Sequence, residues 1–214
     1  MTVARVGPLA LRLYVVTGAM VPGRTHEDVA RAAVEGGATA VQLRAPELDD
    51  DRLFAVANDL ARLCRLAGVL FVVDNRIDVA LAVDVGTHLG QSDAPASARS
   101  RLGENKVLGV SVDNADQARA AEFAGADYLG ITVAPSATKP DAQSHGLDGL
   151  AAVVGATALP VVGIGGIDEM NLAQVFGAGA SGVAVVSAVA AAPDPLAAVR
   201  KLRKAVDDST RGWR

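Results

Sequence analysis

A single α/β domain, a (β/α)8 or TIM barrel, is the fold class this sequence predicts, and three observations predict it. Short apolar, β-branched runs recur eight times, each followed by a segment with helical spacing. The chain has 214 residues, and about 200 is the lower size limit of that barrel. Half of the residues are hydrophobic but only 3% are aromatic, a composition of small and β-branched side chains suited to packed parallel strands. Strands separated by helices must pair in parallel through crossovers. A doubly wound open sheet shares the alternation, but it often opens on a Gly-rich phosphate turn after its first strand. Here that strand ends in Val16-Thr17-Gly18-Ala19, and the glycine-rich candidates follow the seventh and eighth runs instead.

The first strand is Leu13 to Val16, followed by a helix from Thr25 through Val34, with Thr25 as N-cap and Asp28 three residues on. The second strand is Ala40 to Leu43. Its helix runs from about Asp49 to Ala67, with Leu53, Val56, Leu60, Leu63 and Ala67 at helical intervals. Next come Leu70 to Val73 with a short helix at Ile77 to Ala82, and Gly86 to Leu89 with a helix opening near Pro95. Val107 to Val110 precedes a helix at Ala115 to Phe123. Tyr128 to Ile131 leads into a long loop and a helix from Leu147. Pro160 to Ile164 precedes Met170 to Phe176. Gly182 to Val186 is the eighth strand, and a helix near Pro195 to Val206 closes the chain. The barrel is expected over about 11–207 of a single domain 1–214, with Asp208 to Arg214 as a frayed tail.

A formal net charge of −4 argues against broad binding to nucleic acid or to an anionic membrane, which need basic surfaces. Cys64 is the one cysteine, so an internal disulfide and a Cys-rich zinc site are excluded; its apolar run predicts a buried, inert thiol. Neither a signal peptide nor a membrane span is read in the sequence. A soluble, cytoplasmic globular protein is expected.

In such a barrel the ligand site gathers at the carboxyl ends of the strands. The polar residues there are Gln42 and Arg44; Asp74, Asn75 and Arg76; His88, Gln91, Ser92 and Asp93; Ser111 and Asp113; Ser136, Thr138, Lys139 and Asp141; Gly165 and Gly166; and Ser187. Gly165-Gly166 and Ser187 each precede an expected helix start, where backbone amides can bind phosphate oxygens. Asp74 and Asp93 end neighbouring strands and could share one hard cation such as magnesium, with Arg44 and Lys139 as fixed positive charge around the same anion. Ordinary rim ion pairs are the alternative for each of these charges. His88 is expected as a satisfied interior histidine, and His26 and His145 as surface residues, with His145 able to reach a ligand from the sixth loop. No two histidines have metal-ligand spacing.

Six ordered segments carry a resemblance: Gln42-Leu43-Arg44, His88 to Asp93, Gly125 to Gly130, Thr138-Lys139-Pro140-Asp141, Gly163 to Ile167, and Gly182 to Ala188. Together they resemble the thiamine phosphate synthase family, which also includes thiazole tautomerases, over nearly the whole chain. The resemblance implies an enzyme, a transferase of thiamine biosynthesis, that joins hydroxymethylpyrimidine diphosphate to a thiazole phosphate and releases diphosphate. It implies that Gln42, Arg44, Ser111 and Lys139 hold pyrimidine and diphosphate, with Arg44, Ser111 and Lys139 in the catalytic role. It implies a Mg2+ carboxylate at Asp93, with Asp74 or Asn75 beside it and Gln91 in the same half-site. Ser136, Thr138, Gly166, Val186 and Ser187, together with Gly165, would form the thiazole phosphate site. The expected partners are phosphorylated small molecules and a second copy of the chain as a homodimer, with neither nucleic acid nor membrane.

Four positions depart from the family pattern. Pro46 stands where a lysine usually touches diphosphate, and Asp74-Asn75-Arg76 reverses the usual Asn-Asp-Arg. Asp113 replaces the histidine of Ser-x-His, and Thr132-Val133-Ala134 replaces Gly-Pro with an aromatic. The phosphate half is thus kept and the diphosphate–metal half altered. A tautomerase-like isomerase on a phosphorylated heterocycle, and a phosphate-binding protein without catalysis, remain as alternatives to the synthase.

Overall fold

The computed structural model describes residues 6–18, 21–91, 93–135 and 143–212. A short 3-10 turn, Pro8–Leu11, precedes β1 (Leu13–Val16). There follow α1 (His26–Gly36), β2 (Ala40–Leu43), α2 (Asp50–Ala67), β3 (Leu70–Asp74), α3 (Ile77–Ala82), β4 (Gly86–Leu89) and α4 (Pro95–Leu102). The second half contains β5 (Leu108–Ser111), α5 (Ala115–Phe123), β6 (Tyr128–Thr132), α6 (Gly146–Val154), β7 (Val161–Ile164), α7 (Leu172–Gly177), β8 (Gly182–Val185), α8 (Ser187–Ala190) and α9 (Pro195–Ser209). The strands close in sequence order, with β1 paired to both β2 and β8 and all pairs parallel. This is the (β/α)8 barrel. No described helix is long and apolar enough to cross a membrane.

Local chemistry places the elements. Thr25 Oγ1 accepts from Asp28 N and the Asp28 carboxylate accepts from Thr25 N, the reciprocal cap read from the sequence. Asp49, Asn114 and Asp194 cap α2, α5 and α9 in the same way from one side. Two expectations are corrected. The chain does not fray at Asp208, since α9 continues to Ser209 and Thr210 is buried with its hydroxyl on Val206 O. The Gly165-Gly166 turn does not open a helix either, because α7 begins only at Leu172; Asp168 and Asn171 organise the intervening turn by accepting from Met170 N and Asp168 N.

The period of two along each strand divides the apolar residues into two cores. Leu13, Val15, Val41, Leu43, Val73, Leu129, Ile131 and Val183 pack outward against the helices. Tyr14, Val16, Ala40, Val72, Tyr128, Val162 and Ala184 fill the barrel itself. Cys64 is completely buried in the outer layer, and burial pushes its thiol up to about 12, as an inert structural cysteine requires.

Below the barrel, at the amino ends of the strands, Arg99 of α4 reaches under β5 and β6. Its Nη2 donates to Asp127 Oδ2 at 2.7 Å, and its other nitrogens donate to the carbonyls of Gly125 (3.0 Å), Gly103 (2.8 Å) and Lys106 (2.8 Å). Asp127, 2% exposed, also accepts from Leu108 N at 2.8 Å. Part of the Gly125 to Gly130 motif is therefore a buried structural staple at the end opposite the pocket.

Candidate active site

The carboxyl ends of the strands surround a pocket of about 820 Å³, counted out to its open mouth. That size suits a drug-sized ligand. Its walls differ in chemistry. Gln42 (β2), Asp74 (β3), His88 (β4), Ser111 (β5) and Thr132 (β6) present polar groups from five consecutive strands, whereas Val16, Val162, Ile164, Ala184 and Val186 make the side formed by β7, β8 and β1 apolar. All of them occupy one phase of their strands. Register aligns Val16 with Gln42, Gln42 with Val72, Asp74 with His88, and Ser111 with Gly130.

A chain of hydrogen bonds rises from the barrel floor to the pocket. Tyr14 and Tyr128 share a 2.9 Å hydroxyl–hydroxyl bond, Tyr128 Oη lies 3.0 Å from His88 Nδ1, and His88 Nε2 lies 3.0 Å from Ser111 Oγ. Burial pushes both phenols well above their ordinary range, so they stand as neutral hydroxyls. His88 is the satisfied interior histidine expected, and it also forms part of the pocket wall. The pair crosses over Gly109, which is in register with both His88 and Tyr128. A Cβ at Gly109 would lie 2.2 Å from Tyr128 Cζ and 2.4 Å from His88 Nδ1. Gly109→Ala should therefore cost about 1–3 kcal/mol by overpacking, read by urea denaturation. An unchanged midpoint would show that both rings can yield without loss.

The swapped pair after β3 divides its work. Asp74 turns into the pocket: its Oδ1 accepts from Gln42 Nε2 at 2.9 Å, and its Oδ2 lies 3.7 Å from Arg44 Nε. Asn75, in the left-handed region at φ 56°, turns elsewhere: its Oδ1 accepts from Gly90 N at 3.1 Å. The same Gly90 amide donates to Asp93 Oδ2 at 2.8 Å. Of the two residues read from the sequence beside Asp93, it is thus Asn75 and not Asp74 whose oxygen shares a partner with it. Adjacent side chains leaving a strand diverge, and that divergence accounts for the difference.

On the opposite wall, Gly165 lines the pocket at φ 96°, and a Cβ there would lie 2.3 Å from Ala134 O, so the β7 turn packs directly on the chain leaving β6. Gly166 is exposed and Ser187 half-buried, each one residue beyond a wall residue, Gly165 and Val186 respectively. Ser187 opens the short helix α8, and Arg24 Nη1 satisfies the carbonyls of Ala190 and Ala192 at that helix's far end, at 2.9 and 2.6 Å. Ser136, Thr138, Lys139 and Asp141 lie outside the described residues.

Two histidines are not where the sequence reading puts them. His26 is 4% exposed rather than superficial, with Nδ1 at 2.8 Å from Thr17 Oγ1 and Nε2 at 2.6 Å from Glu47 Oε1. The His145 side chain is 12% exposed, and its Nε2 lies 3.0 Å from Asp113 Oδ1, which also accepts from Gln91 Nε2 at 3.2 Å. Partial burial raises the Asp113 carboxyl, but its bonds from Gln91, His145 and Gln117 outweigh that and hold it below the ordinary carboxylate range. Both histidines sit at helix starts, where sequence alone gives no sign of a carboxylate partner. Tyr14, Thr132 and Ala184 also line the pocket without having been singled out from the sequence, although their phase in the strands indicates them.

Comparison with known proteins agrees with this geometry. Residues 13–189 match the family model described as thiamine monophosphate synthase. A thiamine-phosphate synthase of Chloroflexus aurantiacus is 49% identical over 91% of this chain and 92% of its own, and one of Moorella thermoacetica is 48% identical over 91% and 95%. A solved thiamine phosphate pyrophosphorylase from Pyrococcus furiosus superposes with a TM-score of 0.87 at 39% identity, covering 94% of this chain and 98% of that one. A 3-hexulose-6-phosphate synthase structure, at 19% identity and a TM-score of 0.71, shares the fold. With a match spanning all eight strands of the barrel, this chain belongs to the thiamine monophosphate synthase family.

Proposed function

We propose that this chain is a thiamine-phosphate synthase, coupling hydroxymethylpyrimidine diphosphate with thiazole phosphate to give thiamine phosphate and diphosphate. The observation that carries the reading is identity of 48–49% along nine-tenths of the chain to proteins bearing that name. The split pocket supports it. One wall offers a planar amide, a guanidinium and a hydroxyl at Gln42, Arg44 and Ser111, and the other is apolar. Gln42 commits an Nε2 hydrogen to Asp74 and keeps an amide oxygen to offer to an amino-substituted heterocycle. Departure of diphosphate leaves a pyrimidine-stabilised cation. The protein's part is then to neutralise the leaving group through Arg44, with Lys139 as the second cation, and to hold the thiazole nitrogen in line. The thiazole phosphate is assigned to Gly165, Gly166 and Ser187 with Ser136 and Thr138.

Magnesium fits the residues near Gly90. Asn75 Oδ1 and Asp93 Oδ2 meet on one amide, and one carboxylate with a neutral oxygen is a partial shell of the kind magnesium completes with substrate oxygens and water. When bound there, the ion would neutralise charge on the diphosphate. Among the described residues no group of three or more His, Cys, Asp or Glu is placed to hold a metal ion. A cytoplasmic location and a homodimer belong to the same reading. For the isomerase alternative, the acid–base candidates Asp113 and His145 are paired with each other and line no part of the pocket, whereas Asp74 and His88 do face it, so the product formed decides between the two readings.

Mixing the protein with both phosphorylated substrates and magnesium should yield thiamine phosphate and stoichiometric diphosphate, read by mass spectrometry. Isomerised thiazole, or no product with both substrates bound, would overturn the assignment.

A further inference from the structure

Three elements around the pocket meet in a polar chain, buried at Thr17 and His26 and half-exposed at Glu47, that the chemistry above does not use. Thr17, 1% exposed, follows β1; His26 opens α1; Glu47 lies in the loop after β2. Thr17 Oγ1 accepts from the backbone N–H of Arg44 at 3.3 Å, and Thr17 N donates to Gln42 O at 2.9 Å. Thus one buried residue holds both ends of the Gln42-Leu43-Arg44 segment by the main chain.

The donors and acceptors can be ordered. A carboxylate only accepts, so His26 Nε2 carries the hydrogen donated to Glu47 Oε1. In the neutral ring Nδ1 is then an acceptor, and it takes the Thr17 hydroxyl hydrogen. The Thr17 oxygen is left with its lone pairs turned to Arg44 N. The sequence Arg44 N–H to Thr17, Thr17 O–H to His26, and His26 N–H to Glu47 satisfies every member in a single direction. A Thr17 hydroxyl free to rotate would hold Arg44 less firmly. The Glu47 carboxyl loses some hydration by partial burial, but the His26 bond outweighs this and keeps it below the ordinary carboxylate range, so the acceptor end stays charged.

We propose that Glu47, His26 and Thr17 form a relay of positioning residues that fixes the Arg44 backbone, and thereby its guanidinium, for the diphosphate of the pyrimidine substrate. The inference rests on the synthase reading for the identity of that ligand. It assigns the relay to one substrate only, because the chain ends at Arg44 and Gln42 and touches neither Gly165 nor Ser187.

Thr17→Val is isosteric and removes the hydroxyl. Supporting residues around ligand-binding groups typically matter by ~10–100-fold, so this variant should raise KM for the pyrimidine diphosphate by about tenfold. KM for thiazole phosphate should stay within about twofold, and Thr17→Ser should restore the first value. Glu47→Leu, at a half-exposed position, should repeat the effect and Glu47→Gln should largely spare it, with folding of each variant checked by its Tm. Inorganic diphosphate with magnesium is the probe independent of turnover: calorimetry should show the same tenfold loss in Thr17→Val and Glu47→Leu. If the wild type binds diphosphate in this pattern but forms no product, the relay stands and the synthase reading falls. Equal changes in both KM values, unchanged diphosphate affinity in folded Glu47→Leu, or no diphosphate binding by the wild type would each overturn the relay.

Discussion

Arg99→Leu should destabilise the barrel by about 3–5 kcal/mol, the cost of breaking a buried ion pair by removing one partner. Asp127, 2% exposed, would keep its charge and its bond from the Leu108 amide but lose the guanidinium that neutralises it. The carbonyls of Gly125, Gly103 and Lys106 would lose their donor at the same time. For a domain of this size the loss corresponds to a fall in Tm of roughly 6–20 °C. Replacing both residues, as Arg99→Met with Asp127→Asn, should recover part of it, since the asparagine oxygen can still accept from Leu108 N and no bare charge remains. The staple lies at the amino ends of the strands, so folded variant measured well below its Tm should keep its KM values. A single variant within about 0.5 kcal/mol of wild type in urea would mean that water reaches and solvates Asp127.

The barrel was legible because its signal is repeated. Each strand run is four or five residues of largely β-branched or apolar side chains, four of the helices carry a side-chain cap, and an error in one unit is corrected by its neighbours. Ile77–Ala82 and Ala115–Phe123 fall where the pattern places them. The errors occur where no periodicity operates. The turn after Gly166 is held by Asp168 and Asn171 rather than by a helix, and α8 is only four residues long, below the range in which helical spacing can be read. The site divides similarly. Gln42, Arg44, Asp74 and Ser111 could be named from their place at strand ends, whereas the environments of His26 and His145 depend on Glu47 and Asp113, 21 and 32 residues away in the chain. Sequence gives the phase of a side chain on its own element. It does not give the partner contributed by the next one.

The exchange Asp74→Asn with Asn75→Asp should tighten magnesium binding and raise magnesium-dependent turnover. The present arrangement places a neutral oxygen next to Asp93 on the Gly90 amide, and places the carboxylate of Asp74 against Gln42 and Arg44. Moving the negative charge to position 75 puts it beside Asp93. At about 4 Å in water one extra unit charge attracts a divalent ion by about 2 kcal/mol, or roughly thirtyfold in affinity. Aspartate tolerates the left-handed backbone at position 75 nearly as well as asparagine does, so the strand end need not be rebuilt. Asparagine at 74 can still accept from Gln42 Nε2, while Arg44 loses its carboxylate neighbour and presents more of its charge to the diphosphate. The same juxtaposition has an opposite sign without metal: two carboxylates on one amide repel, so the exchanged protein should be less stable than wild type in chelator and should gain more stability from magnesium. Pro46→Lys, at an exposed position, should add to turnover by restoring a cation on the diphosphate side. Magnesium titrations of Tm and of product formation test both parts. An exchanged protein with unchanged magnesium dependence would mean that the oxygens around Gly90 do not hold the ion, and that Asn75 serves only to pin the β4 turn.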